Sequence, residues 1–288
     1  MQESAKINRI MVFVKVGVIL LFIVVGMFYV KPDNWQPFMP FGVEGVVSGA
    51  ALVFFAYLGF DAVSSAAEEV KNPQRNLPIG IIGSLLVCSL LYIAMSLVLT
   101  GITPYTTLNV SNPVSFAIDF VGQDWIAGII SLGAVTGMMT VILVMIYGGS
   151  RLLFAIGRDG LLPKVMSKVN PKHNTPVINT WIFGLVVAFC AGFIPLGTLA
   201  ELVNMGTLIA FTIVSLGIIF LRKNTNALSS GGFKVPFFPV LPILSFLACL
   251  FLMTQLSINT WIACGIWFVI GFVFYFLYGR KHSTLNEK

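Results

Sequence analysis

The chain is poor in charge. Of its 288 residues only 10% are Asp, Glu, Lys or Arg, where a soluble domain carries about 25%. That excludes a soluble globular domain, a disordered tail and a coiled coil. Histidine is scarce too: His173 and His282 are the only two, and both lie in polar flanks. The four cysteines, Cys88, Cys190, Cys249 and Cys264, each sit inside an apolar run. They read as small membrane hydrophobes, with neither a disulfide framework nor metal spacing. HExxH, Walker A and GxSxG patterns are absent. Intramembrane hydrolysis, metal catalysis and ATP-driven pumping by this chain therefore have no support. The expectation is a protein that is not an enzyme, with no cofactor and no metal site.

What the sequence does have is long hydrophobic runs. It is 57% hydrophobic, with a mean hydropathy of +0.94. Eight apolar segments can be marked, at about 10–30, 45–67, 79–102, 125–156, 176–195, 199–221, 236–256 and 260–279. Each is long enough to cross a hydrocarbon core of about 30 Å as a helix. None alternates with period two, so a closed β-barrel is a poor fit. The fold class expected is all-α, a polytopic membrane protein with eight spans in one membrane domain over 1–288. The fourth segment is long enough to project from the bilayer. The fifth and sixth are joined by a tight hairpin at Pro195-Leu196-Gly197. Between the third and fourth, Pro113 opens a stretch, Pro113 to Phe120, that reads as a short helix with proline in its first turn.

Charge gives the orientation. Fifteen of the seventeen Lys and Arg fall at one set of segment ends, from Lys6 and Arg9 to Arg280, Lys281 and Lys288. The opposite loops carry only Lys31, and Lys15 lies inside the first segment. This asymmetry predicts both termini on the cytoplasmic side of the cell membrane. The net charge of +6 is then topological, and nucleic acid is not an expected partner. Trp35, Trp125 and Trp261 fall near the outer boundaries, where an aromatic belt belongs. The first segment is too long for the apolar core of a cleavable signal peptide.

Two ionisable residues sit at depth, Lys15 in the first segment and Asp61 in the second. Either costs about 2.5–3.5 kcal/mol at a helix centre, so each is a functional candidate. Lys15 has two readings. It lies about one and a half turns inside and can snorkel to the interface. It can also face the bundle interior, where desolvation lets it release and regain a proton. Gly59, in the run Phe54-Phe55-Ala56-Tyr57-Leu58-Gly59-Phe60-Asp61, also has two. It is an ordinary packing glycine, or it marks a broken helix whose freed carbonyls bind an ammonium at the midplane. In the fourth segment Met138 and Met145 are seven apart and share a face. They are adaptable packing, or the wall of a pocket that selects side chains.

The run from Phe54 to Asp61, followed by Ala67-Glu68-Glu69-Val70-Lys71-Asn72-Pro73-Gln74-Arg75-Asn76-Leu77-Pro78, resembles the sixth helix and following loop of amino acid permeases. Ser150-Arg151-Leu152-Leu153-Phe154-Ala155-Ile156-Gly157-Arg158-Asp159-Gly160-Leu161-Leu162-Pro163 resembles the end of their eighth helix. The pattern is closest to the bacterial branch of the cationic amino acid transporter family, within the amino acid–polyamine–organocation superfamily. The resemblance covers essentially the whole chain. It implies an inverted-repeat (5+5) fold with two accessory helices, in which the eight segments are the fifth to twelfth helices. The family's first four helices have no counterpart in this sequence. The resemblance thus implies a C-terminal portion, not transport-competent alone, whose missing part is a separately encoded N-terminal portion.

By the same resemblance the substrate is an amino acid and the coupling ion a proton. Phe55 matches the aromatic gate. The backbone carbonyls of Phe55, Ala56 and Leu58, at the break near Gly59, match the seat of the substrate ammonium. Lys15 matches the lysine of proton-coupled members. Asp61 matches an acidic position close to the site, and Met145 a position lining the side-chain pocket. The substrate stays open, since a methionine wall favours a neutral side chain and Asp61 a cationic one. The competing reading is a non-transporting orphan fragment or a membrane interaction subunit.

Overall fold

The computed structural model describes residues 2–60, 70–170, 175–223 and 235–283. Its described residues are helical, without a strand among them. Helix α1 is Gln2–Met27. Helix α2, Gly42–Val53, runs into a 3₁₀ turn, Phe54–Tyr57. Helices α3, Pro73–Ile102, α4, Pro113–Phe120, and α5, Asp124–Arg158, follow. Then come α6, Val177–Phe193, α7, Leu196–Lys223, α8, Val240–Thr254, and α9, Ile258–Phe274, which continues through a π turn, Tyr275–Gly279, to Arg280–His282.

Five helices are long and apolar enough to cross a membrane: Arg9–Met27, Pro73–Ile102, Asp124–Arg158, Leu196–Arg222 and Ile258–His282. Three more are apolar but shorter: Gly42–Tyr57, Val177–Phe193 and Val240–Thr254. Their lengths have local causes. Helix α2 stops where its backbone breaks. Helix α8 starts late because Pro239 occupies its N-cap, and proline cannot extend a helix backwards. Helix α5, at 35 residues, is about 52 Å long and outreaches the hydrocarbon core. Helix α4 has Pro113 at its first turn. Large apolar side chains such as Phe13, Leu90, Leu132 and Trp267 point outward, as a protein solvated by lipid requires.

Lipid tails solvate leucine as well as a protein interior does, so burial alone does not hold such helices together. Close approach and hydrogen bonds must. The chain divides into two compact units that use both.

The first unit is Met1–Pro40 with Gly83–Met145. Its core joins Phe22 of α1, Val98 and Ile102 of α3, Ala117 and Ile118 of α4, and Ile126, Ala127 and Ile130 of α5. Segment 29–36 closes the end of α3. The Lys31 amide donates to the carbonyl of Gly101, the Asn34 amide donates to the same oxygen at 2.8 Å, and the Trp35 indole donates to Leu97 at 3.2 Å. The Gly101 carbonyl belongs to the last turn of the helix and has no partner within it. Ser115 and Ser131 join their hydroxyls at 2.7 Å, tying α4 to α5.

The second unit is Phe41–Ile82 with Ile146–Lys288. Its core is Ala51 of α2, Met205 and Leu208 of α7, Cys249 and Met253 of α8, and Leu256 just after it. Ser215 and Ser245 join α7 to α8 at 3.0 Å. Asn179 of α6 is buried and donates to the Met166 carbonyl at 2.8 Å. Only Ile194 and Pro195 separate α6 from α7, so the hairpin is tight. After α5 the backbone of Gly160 takes φ +81 and lies directly on that of His282, whose carbonyl a Cβ at position 160 would strike.

Candidate functional site

The break in the second apolar segment is built by three successive changes of backbone. Regular α2 ends at Val53, and residues 54–57 tighten into a 3₁₀ turn. The Leu58 amide closes that turn on the Phe55 carbonyl at 3.2 Å, and Leu58 itself is extended, with φ −63 and ψ 142. Gly59 then takes φ +119. A Cβ built on Gly59 meets nothing within 4 Å. Glycine is therefore required here by the backbone angle and not by space. Phe55, Ala56, Leu58 and Gly59, all expected at the site, lie together in this turn. Phe55 is 42% exposed.

Helix α7 grips both sides of the break. The Asn204 amide nitrogen donates to the carbonyls of Ala51 at 3.0 Å and Leu52 at 3.2 Å. The ring of Phe211 packs edge-on against Phe54 before the break, with centroids 6.3 Å apart. It also packs against Phe60 after it, at 5.4 Å. One helix face thus supports the last turn of α2 and the residue beyond Gly59.

Lys15 belongs to the first unit. It is half-buried, and its stem lies across Gly137 of α5, where a Cβ would come within 2.8 Å of Cε. Val18, one turn on, lies over Gly133 in the same way, at 2.5 Å. One turn before, the Thr140 hydroxyl donates to the sulfur of Met11 at 3.2 Å. The pairs 11–140, 15–137 and 18–133 descend one helix as they climb the other. This is antiparallel packing on a small-residue face. Among the described residues nothing hydrogen-bonds or pairs with the Lys15 ammonium. Met138 and Met145 lie on α5 with 58% and 44% of their surface exposed. Asp61 lies outside the described residues.

Two features had no counterpart in the sequence reading. One is a carboxylate at the start of α7. Glu201 accepts hydrogen bonds from the hydroxyls of Ser257 and, at 2.6 Å, Thr260, which fastens the α8–α9 turn. The other is an open apolar groove of about 860 Å³ between α7 and α9, lined in part by Val203, Gly206, Trp267, Phe272 and Tyr275. None of the expected site residues that are described borders it. The signal for Asn204 and Glu201 was available, since each is a strongly polar side chain in an otherwise apolar span. Among the described residues, no group of three or more His, Cys, Asp or Glu is placed to hold a metal ion.

Comparison with known proteins bears on what this arrangement serves. The profile of the amino acid permease family matches residues 1–284. The chain is 58% identical to the methylthioribose transporter of Bacillus subtilis (strain 168), over 99% of its own length and 62% of the relative's. It is 54% identical to the branched-chain amino acid permease BcaP of the same organism, with the same coverage. It is 29% identical to the vacuolar cationic amino acid transporter 4 of Arabidopsis thaliana, over 99% of this chain and 68% of that one. The chain thus spans about three fifths of the length of the two bacterial relatives, at 62% of each. With a family profile running almost end to end over a helical, multi-pass membrane chain, this protein belongs to the amino acid permease family of the amino acid–polyamine–organocation superfamily.

Proposed function

We propose that this chain carries the ammonium-binding part of a proton-coupled amino acid permease of the cell membrane, with eight spans and both termini cytoplasmic. The observation that carries the reading is the break at Phe54–Gly59 in an apolar helix. A continuous helix commits its carbonyls to the i→i−4 ladder, and a break takes some of them out of it, where an ammonium can reach them. The carbonyls of Phe55, Ala56 and Leu58 receive the substrate's α-ammonium, and Phe55 closes over it. Asp61 adds negative charge near the site, and Met145 shapes the side-chain pocket. Lys15 gains and loses a proton as the gates exchange. Its half-buried position, without an ion-pair or hydrogen-bond partner among the described residues, supports that role. In the family's inverted-repeat pattern a glycine-rich break in the first helix binds the substrate carboxylate, so the complete site includes more than the helices described above.

A second reading of the substrate has specific support. The relative at 58% identity is named for methylthioribose and the one at 54% for branched-chain amino acids. The permease, expressed from its own locus with the adjoining coding sequence in cells lacking competing uptake, decides between them. Labelled leucine, isoleucine and valine should accumulate and be driven by an inward proton gradient. Uptake of methylthioribose alone overturns the amino acid reading, and uptake indifferent to a protonophore overturns the coupling.

A further inference from the structure

The point at which α2 breaks poses a hydrogen-bond problem that can be counted. The Phe54 amide still reaches back four residues, to Ala50, and shares its one hydrogen with the Leu52 carbonyl. The Leu58 amide reaches back only three, to Phe55. Between these two bonds lie four carbonyls, those of Ala51 to Phe54, and three amides, those of Phe55 to Tyr57. The change of helix type therefore leaves a carbonyl in excess, a general consequence of passing from α to 3₁₀ geometry. In a segment surrounded by lipid and packed side chains, water is not at hand to satisfy it.

Asn204 is placed where that excess arises. Its side chain is 0% exposed, and Ala51, Met205 and Leu208 beside it are buried to within 1%. Its amide nitrogen spans the carbonyls of Ala51 and Leu52. The same side chain's Oδ1 is buried without a hydrogen-bond partner among the described residues. An apolar residue of this size would fill the site without that cost. The amide is kept for its two N–H groups, and reversing it would set an oxygen against two oxygens.

We propose that Asn204 is a positioning residue for the substrate site. By holding the carbonyls of Ala51 and Leu52 it fixes the residue at which α2 stops. It thereby sets the direction of the carbonyls of Phe55, Ala56 and Leu58, without touching the substrate. Phe211, two turns along the same helix, holds Phe54 and Phe60 on either side, so α7 is the template of the break. This assignment rests on the reading of the break as the ammonium site.

The test compares the full chain with Asn204→Leu and Asn204→Asp in lipid nanodiscs, by hydrogen–deuterium exchange resolved to peptides within 51–60. Loss of the donor should speed exchange of the amides at 55–58 about tenfold, leaving α3 and α5 unchanged. Asn204→Asp is similar in shape. Ionised, it presents only acceptors to the two carbonyls. Protonated, it regains one O–H donor. Its protection should therefore recover as pH falls, whereas that of Asn204→Leu should not. Because the pH comparison is made within one folded protein, it stands even if Asn204→Leu does not fold. In the permease expressed from its own locus, both variants should raise KM with Vmax nearly unchanged. Unchanged exchange at 55–58, or equal loosening of α3 and α5, overturns the proposal. Exchange that behaves as expected, in a permease whose amino acid uptake is absent, refutes the substrate reading and keeps the control of the break.

Discussion

The two units place polar atoms inside apolar helix packing, and they treat those atoms differently. In the second unit the Asn204 amide meets two carbonyls, at 3.0 and 3.2 Å, and the geometry it holds is fixed. In the first unit Lys15 is given a glycine shelf at Gly137 and no polar partner among the described residues. A buried donor with partners resists change, because moving it strands both sides. Lys15 is held along its stem instead, by the shelf at Gly137. The comparison separates a polar group held by its partners from one held only along its stem.

The largest effect should come from removing the group proposed to carry the proton. Lys15→Ala should abolish proton-driven accumulation while substrate exchange across the membrane persists, measured as pH-gradient-driven uptake against counterflow. If coupling survives, Lys15 is a snorkelling residue and the contrast between the units collapses. Next comes the break itself. Gly59→Ala forces a side chain onto φ +119, at a cost on the order of 1–2 kcal/mol, or about tenfold in substrate affinity. Equal affinity in a binding titration would mean that the backbone angle is not part of the site. Gly137→Val sharpens the comparison from the other side. It places methyl groups where the Lys15 stem lies and should reduce accumulation roughly fivefold with substrate binding intact. A loss of binding instead would assign Gly137 to the fold. Smallest is Phe55→Ala, expected to speed substrate release about threefold by removing a gate. A stopped-flow release rate equal to the parent's removes Phe55 from that role.

Much of this architecture was readable in advance, and the reasons differ by element. Apolar runs report helices well in a membrane chain because lipid enforces internal hydrogen bonding, which is why α1, α3, α5, α7 and α9 lie where hydropathy predicts them. Helix α4 was legible from Pro113 alone, since proline at the first helical position is pre-organised. The ends were less so. Helix α3 begins at Pro73 and not near 79, because its first turn is polar and invisible to hydropathy. Gly59 could be singled out because a glycine between aromatics has few explanations. Asn204 stands out as a polar residue in an apolar span, but its role does not, for its partner Ala51 is 153 positions away and no local period links them. The same holds for Lys15 and Gly137, which meet only because two helices run antiparallel. Local chemistry is written in short windows, whereas the pairing that gives it a role is written by packing.

The contact between Gly160 and His282 has a consequence for biogenesis. The loop that follows α5 is made more than a hundred residues before the segment it rests on. Until Tyr278–His282 leave the ribosome and insert, the left-handed turn at Gly160 has only its own residues to hold it. The C-terminal end of α5 thus stays unfinished until α6, α7, α8 and α9 have been made. The second unit therefore closes last, at a point specified early in the chain.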